Sequence, residues 1–383
     1  MKLRPPDLRD MLAGLIGTPS VSSTDPALDQ PNRPVIDLLA GWLEAAGFAV
    51  EIRPLDQTGG KANLIATLGR GPGGLVLAGH TDTVPFDADR WRHDPFRLTE
   101  DGGRLYGLGT ADMKSFLALA IEAARGIRAE DLAAPLVILA TADEETTMAG
   151  ARALVNSGRP RAAHAVIGEP TGLRPVRMHK GIAMDAVRVT GRSGHSSDPA
   201  LGRNALEGMH QVIAEILAWR AELQQQHRNA AFAVPFPTLN LGHIHGGDNP
   251  NRICGECELH FDLRPLPGMD LAALRADLHN RLRERLAGSG LGIEMRTLFD
   301  GIPAMETDAA TAIVQATEQL TGHAAEAVAF GTEGPYLQQL GMETVILGPG
   351  DIDQAHQPDE YLALDRILPM LDILQALIRR FCM

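Results

Sequence analysis

The chain has 383 residues, 44% hydrophobic and 22% charged, which supplies a core for one very large domain or two ordinary ones and excludes disorder as a whole-chain description. Acids outnumber bases 48 to 35, a net charge of −13, and no Lys/Arg run makes a basic stripe, which argues against nucleic acid or an anionic membrane as partner. Cys254, Cys257 and Cys382 form no disulfide framework, and no stretch approaches the roughly 20 apolar residues of a membrane span, so the expected compartment is the cytoplasm.

The amino terminus, MKLRPPDLRDMLAGLIG, is interrupted by charges and two prolines and lacks the apolar core of a secretory signal. Apolar positions recurring every three or four residues predict a helix over Val35 to Gly47 and another over Ser115 to Ile127. Between and after them run short apolar segments, GLVLAGHTD, PLVILATADEE, AHAVIGEP and TVILGPG, each ending in glycine, histidine or an acid. Strands of this kind alternating with helices predict an α/β fold with a mixed, largely parallel sheet flanked by helices. In such sheets ligands bind outside the carboxyl ends of the strands, where these polar residues collect.

From about Met178 the texture changes. AMDAVRVTG, a long helix near Asn204 to Gln226, the extended TLNLGHIHG and CELHFDLRP, a helix from Leu271 to Leu286 and GIEMRTL give the order β-α-β-β-α-β of a small split βαβ, α+β domain. The helix–strand texture then returns, so the expected organisation is a first catalytic part over 1–177, an inserted domain over 178–292 and a second catalytic part over 293–383.

The metal-capable residues at these strand ends and adjoining loops are His80, Asp82, Asp112, Glu144, Glu145, Glu169 and His356. Singly, each has an ordinary reading: His80 a structural histidine, Asp112 a helix cap in GLGTADMKS, the Glu144–Glu145 pair a solvated loop, Glu169 a loop acid, His356 a surface group. Together they suit two ions, because zinc accepts imidazole and carboxylate and a shared acid can bridge a pair of ions in a hydrolase. His80 and Asp82 lie two apart on an extended chain, so the acid can orient the imidazole. Of two adjacent glutamates, one can bind metal while the other takes a proton.

HTDTVPFD, GLGTADMKS, ATADEETTMAGAR, IGEPT, GRSGHSSDPALG, NLGHIHGGDNPNRIC, DLRPLPGM and AHQPDEYL together resemble the M20 metallopeptidase family, along nearly the whole chain. The resemblance implies a zinc-peptidase-like catalytic domain and a dimerisation domain that makes a homodimer. It implies two Zn2+ per subunit, with Co2+ as a substitute: His80 and Glu169 on one ion, Glu145 and His356 on the other, Asp112 bridging. Asp82 would support His80 and Glu144 would be the general base. His195 would reach into the partner's site to support an oxyanion, and Asn251, Arg264, Lys180 and Thr332 would contact substrate. Arg264 also has a structural salt-bridge reading, and the CxxC of Cys254 and Cys257 reads as core cysteines. The implied activity is hydrolysis of a small N-acyl amino acid, by the longer phrases N2-acetyl-L-ornithine. Alternatives are desuccinylation of succinyl-diaminopimelate, deacylation of another N-acyl amino acid, dipeptide hydrolysis or, in a different class, a non-catalytic scaffold.

Overall fold

The computed structural model describes residues 5–383, which divide into two compact units: 5–177 with 307–326 and 332–383, and 178–306 with 327–331. Met1 to Arg4 of the charged amino terminus lie outside the described residues; from Leu8 the segment is helix α1 (Leu8–Ile16), capped by the Asp7 side chain. Helix α2 (Arg33–Ala45) buries Val35, Ile36, Leu39 and Leu43, one stripe of its surface. Strands β1 (Ala49–Pro54), β2 (Ala62–Leu68) and β3 (Leu75–His80) follow, then the short β4 (Thr99–Asp101) and β5 (Arg104–Tyr106).

Helix α3 (Lys114–Ala123) is buried on nearly every face, which explains a sequence (KSFLALAIEA) apolar almost all round. After it come β6 (Leu136–Thr141), α4 (Ala149–Ser157), β7 (His164–Ile167) and β8 (Val176–His179). The second unit holds β9 (Ile182–Thr190), α5 (Ala205–Gln226), β10 (Thr238–Gly246), β11 (Glu256–Arg264), α6 (Leu271–Arg285), β12 (Gly292–Ile302) and β13 (Met305–Glu306). The chain ends with α7 (Ala312–Thr321), β14 (Glu326–Val328), α8 (Gly334–Gln339), β15 (Glu343–Ile346), β16 (Tyr361–Ala363) and α9 (Ile367–Cys382).

In the large unit the sheet order is β1-β2-β6-β3-β7-β15-β8. Its centre, β6-β3-β7-β15, is parallel, whereas β1, β2 and β8 pair antiparallel, so the sheet is mixed and largely parallel at its heart. Every residue of β3 and β6 is buried, the signature of strands covered on both faces. Helices α2, α3 and α9 close the main core; α9 contributes Met370, Leu374, Leu377 and Ile378 and carries Arg379 and Arg380 in its last turn, complementing the helix dipole.

The small unit is an antiparallel sheet, β10-β11-β9-β12. Along β11, Cys257, Leu259, Phe261 and Leu263 are buried and their neighbours are not, and that face meets Met209, Val212, Ile216 and Trp219 of α5 and Leu278 and Leu282 of α6. Strand β12 pairs with β9 along its length, so a boundary at 292 falls at the start of a strand of this sheet and the unit runs on to Glu306.

Candidate metal centre and active site

Because β3, β6 and β7 are parallel neighbours, their carboxyl ends lie on one edge of the sheet. That edge receives His80 from β3, Glu144 and Glu145 just beyond β6, and Glu169 just beyond β7. Asp112 arrives from the loop before α3, and two glycines let that helix approach. A Cβ on Gly79 would stand 2.7 Å from the Met113 side chain, and one on Gly168 would sit 1.9 Å from the Phe116 ring. With hydrogens there instead, α3 packs directly on the ends of β3 and β7.

The alternative reading of Asp112 as a helix cap is not what the structure contains: α3 begins after Met113 with no side-chain cap. Asp112 instead stands between two imidazoles, Oδ1 3.1 Å from His80 Nε2 and Oδ2 3.4 Å from His356 Nε2. His80 is 1% exposed and turns Nδ1 toward the Asp82 carbonyl at 3.0 Å, with Asp82 Oδ1 at 3.7 Å. The other Asp82 oxygen accepts the Glu145 amide at 3.1 Å, so one buried acid touches both the histidine strand and the glutamate pair. Glu169 Oε2 is 3.9 Å from His80 Nε2, and Glu145 holds His356 Nε2 with both oxygens at 3.1 Å. His356 is half-exposed and adopts φ 59°, a left-handed backbone rare for residues with a side chain.

Ligand atoms of His80, Glu144 and Glu169 lie within 4.8 Å of one another, as do those of His80, Asp112 and Glu145. Glu144, expected as an unligated base, is therefore as near to His80 and Glu169 as a ligand would be. The electrostatics describe a site short of positive charge. Burial pushes Glu144 and Glu169 well above the usual carboxylate range, helped by repulsion from Glu169 at Glu144 and from Asp112 and Glu145 at Glu169; Glu145 is raised too, by burial and then by Asp112. Burial would also raise Asp112, but hydrogen bonds from His356 and His80 outweigh it and hold it low. For His80, burial disfavours the charge, and Asp112 with the surrounding acids drives the pKa well above its ordinary value. His356 is lifted to about 10 by its bonds to Asp112 and Glu145. Carboxylates gathered so closely in low dielectric need a cation between them, and N/O donors of this kind suit a divalent metal.

The remaining predicted residues are divided between the two units. Thr332, in the large unit, is fully buried, and its hydroxyl accepts the Gly334 amide. In the small unit His195 is exposed with Nδ1 2.7 Å from Ser197 Oγ, and Asn251 is an exposed loop residue beside it. Arg264 is paired with Asp262 at 2.9 Å, which is the salt-bridge reading, and Lys180 donates to the Phe236 carbonyl at 2.7 Å. All three cysteines are free and buried.

Sequence reading missed two buried acids. Glu333 at the start of α8 is raised to about 7 by burial, has one carboxyl oxygen without a partner and lies close enough to Glu144 and Glu169 to perturb both. Glu360, just before β16, is 1% exposed and takes backbone amides from the Asp112 loop. Their only signals were an acid beside Thr332 and an acid four residues after His356.

A mixed sheet whose parallel strands end in a buried imidazole–carboxylate cluster can hold divalent metal. The profile of peptidase family M20/M25/M40 matches residues 76–380, and the chain belongs to that family, as a metallohydrolase acting on amides. It is 52% identical to the acetylornithine deacetylase of Edwardsiella ictaluri over 382 residues, covering 100% of each chain. To that of Pasteurella multocida it is 50% identical over 377 residues, 98% of each. Among solved structures, an M20 family metallo-carboxypeptidase from Sulfolobus solfataricus superposes with TM-score 0.75 at 16% identity, over 98% of this chain and 99% of the other. A Staphylococcus aureus tripeptidase does so with TM-score 0.74 at 18% identity, over 97% of each. At these identities the likeness concerns the fold. No helix among the described residues is long and apolar enough to cross a membrane.

Proposed function

We propose that this chain hydrolyses N2-acetyl-L-ornithine to L-ornithine and acetate, as a cytoplasmic homodimer in arginine biosynthesis. The observation that carries the substrate is the full-length likeness, at about half identity, to curated acetylornithine deacetylases. The chemistry rests on the buried cluster. His80 and Glu169 would hold one divalent ion, Glu145 and His356 a second, with Asp112 between them; zinc is the expected metal and cobalt a substitute. Ions bound there supply Lewis acidity, which brings the pKa of water toward neutrality and polarises the amide carbonyl.

The chain's own groups do the rest. Asp82 keeps the His80 ring in the orientation that presents Nε2 to the cluster. Glu144, its proton affinity raised by burial, takes the proton of the attacking water and returns it to the departing nitrogen. His195 of the partner subunit stabilises the oxyanion of the tetrahedral intermediate. Arg264 offers a fork to the substrate carboxylate, with Asn251, Lys180 and Thr332 as further contacts.

The test is release of free ornithine by purified protein, assayed after chelation and again after two equivalents of zinc or cobalt per subunit are restored. Activity that disappears and returns with metal is expected. Restored metal without ornithine release would overturn the substrate, and faster turnover of a succinylated substrate or a dipeptide would replace it. Full activity in the chelated protein would overturn the metal mechanism.

A further inference from the structure

Glu360 has no place in the mechanism above, yet it is buried to 1% exposure in the segment that carries His356. Its Oε1 accepts three backbone amides from the loop that carries Asp112: Gly109 at 3.1 Å, Ala111 at 2.7 Å and Asp112 itself at 3.0 Å. Its Oε2 shares the Gly109 amide at 3.1 Å, and its own carbonyl accepts the Gly107 amide at 3.1 Å. The same segment is held a second time through Asp359, whose carboxylate takes the amides of Arg92 and His93 at 2.8 and 3.2 Å. Both His356 and Asp359 sit at positive φ, so the segment keeps a backbone it would leave if released.

We propose that Glu360 is a positioning residue for the metal centre. By gathering the amides of Gly109, Ala111 and Asp112 it locks the Asp112 loop to the His356 segment and sets the separation at which the two side chains face one another. The structural reason is the convergence of three donors on one oxygen: a buried amide without an acceptor is costly, so removing that oxygen drives the loop to find other partners. The ion of Glu145 and His356 would then lose the set position of both His356 and Asp112, whereas the ion of His80 and Glu169 would lose only its share of Asp112. The inference rests on reading Asp112 and His356 as metal ligands.

The experiment titrates full-length, metal-free protein with Co2+ alone, followed by calorimetry and by the visible absorption of bound cobalt. Wild-type protein is expected to take up two ions per subunit. Glu360→Gln keeps an acceptor oxygen where the amides converge and should retain most of the affinity for both. Glu360→Leu fills similar space without an acceptor and should bind one ion about 10- to 100-fold more weakly, with its absorption increment lost, and the other with a smaller loss of affinity. If Glu360→Leu does not fold, Glu360→Asp, which cannot reach the three amides, is read in the same way. A folded Leu or Asp variant with wild-type cobalt binding would overturn the positioning role, and so would a Gln variant as impaired as the Leu one. A lower melting temperature with unchanged cobalt binding would make Glu360 merely structural. Wild-type protein that takes up no cobalt would instead overturn the metal reading itself.

Discussion

At the scale of single residues, burial decides what each charged group is for. The glutamates of the metal centre are raised because burial penalises their charge and neighbouring acids repel it, and Asp112 is held low because two imidazoles face it. His179 shows the same physics without a metal. It is fully buried, its Nδ1 stands 2.8 Å from the Lys180 carbonyl and its Nε2 has no partner, so burial lowers its pKa to about 4 and the ring is neutral. Between about pH 6.5 and 4 the unfolded chain therefore binds the proton more readily than the folded one, and stability falls as pH falls through that window, by about 3 kcal/mol for this group. From pH 7 to 4 the urea midpoint of wild type should fall more steeply than that of His179→Phe, which has no such group to titrate. Parallel curves would mean that His179 does not titrate as its burial implies.

At the scale of elements, the site exists because α3 lies flat on the ends of β3 and β7. Gly168 is the tightest point of that contact: any side chain there meets the Phe116 ring rather than a movable chain end, whereas at Gly79 the obstacle is the flexible tip of Met113. Gly168→Ala should destabilise the large unit by about 1–3 kcal/mol and displace Glu169, lowering metal affinity with it. Combining it with Phe116→Ala should cost less than the sum of the two single changes, since the space vacated by the ring accepts the methyl. Strictly additive costs in denaturant unfolding would show that the contact is not limiting.

At the scale of the molecule, the proposed dimer makes a prediction that no single chain can satisfy. Glu144→Ala and His195→Ala subunits should each lose about 100-fold or more in kcat when pure. Mixed and re-equilibrated, half of the dimers pair one of each, and in these one site combines an intact Glu144 with the neighbour's intact His195. Activity should then recover to about a quarter of wild type. A mixture as inactive as its components would place His195 in service of its own subunit, or of none.

Much of this protein was legible in its sequence. Buried strands announce themselves as apolar runs, parallel strands put their carboxyl ends on one edge, and a hydrolytic metal centre needs imidazoles and acids there; so His80, Asp82, Asp112, Glu144, Glu145, Glu169 and His356 could be gathered from local pattern alone. The split βαβ order of the small unit was equally local, although its last strand, β12, carries it past residue 292 because pairing with β9 decides where it ends. Tertiary structure decided what pattern cannot carry. Glu360 bonds to amides 248 to 251 residues away, and nothing in its neighbours records which loop will present them. Asp112 stands one residue before the cap position of α3 and turns to two histidines, and bare glycines on β3 and just beyond β7 let that helix come close. Local sequence determines the periodicity and chemistry of each segment; which donors meet which acceptors depends on distances that exist only after the segments pack.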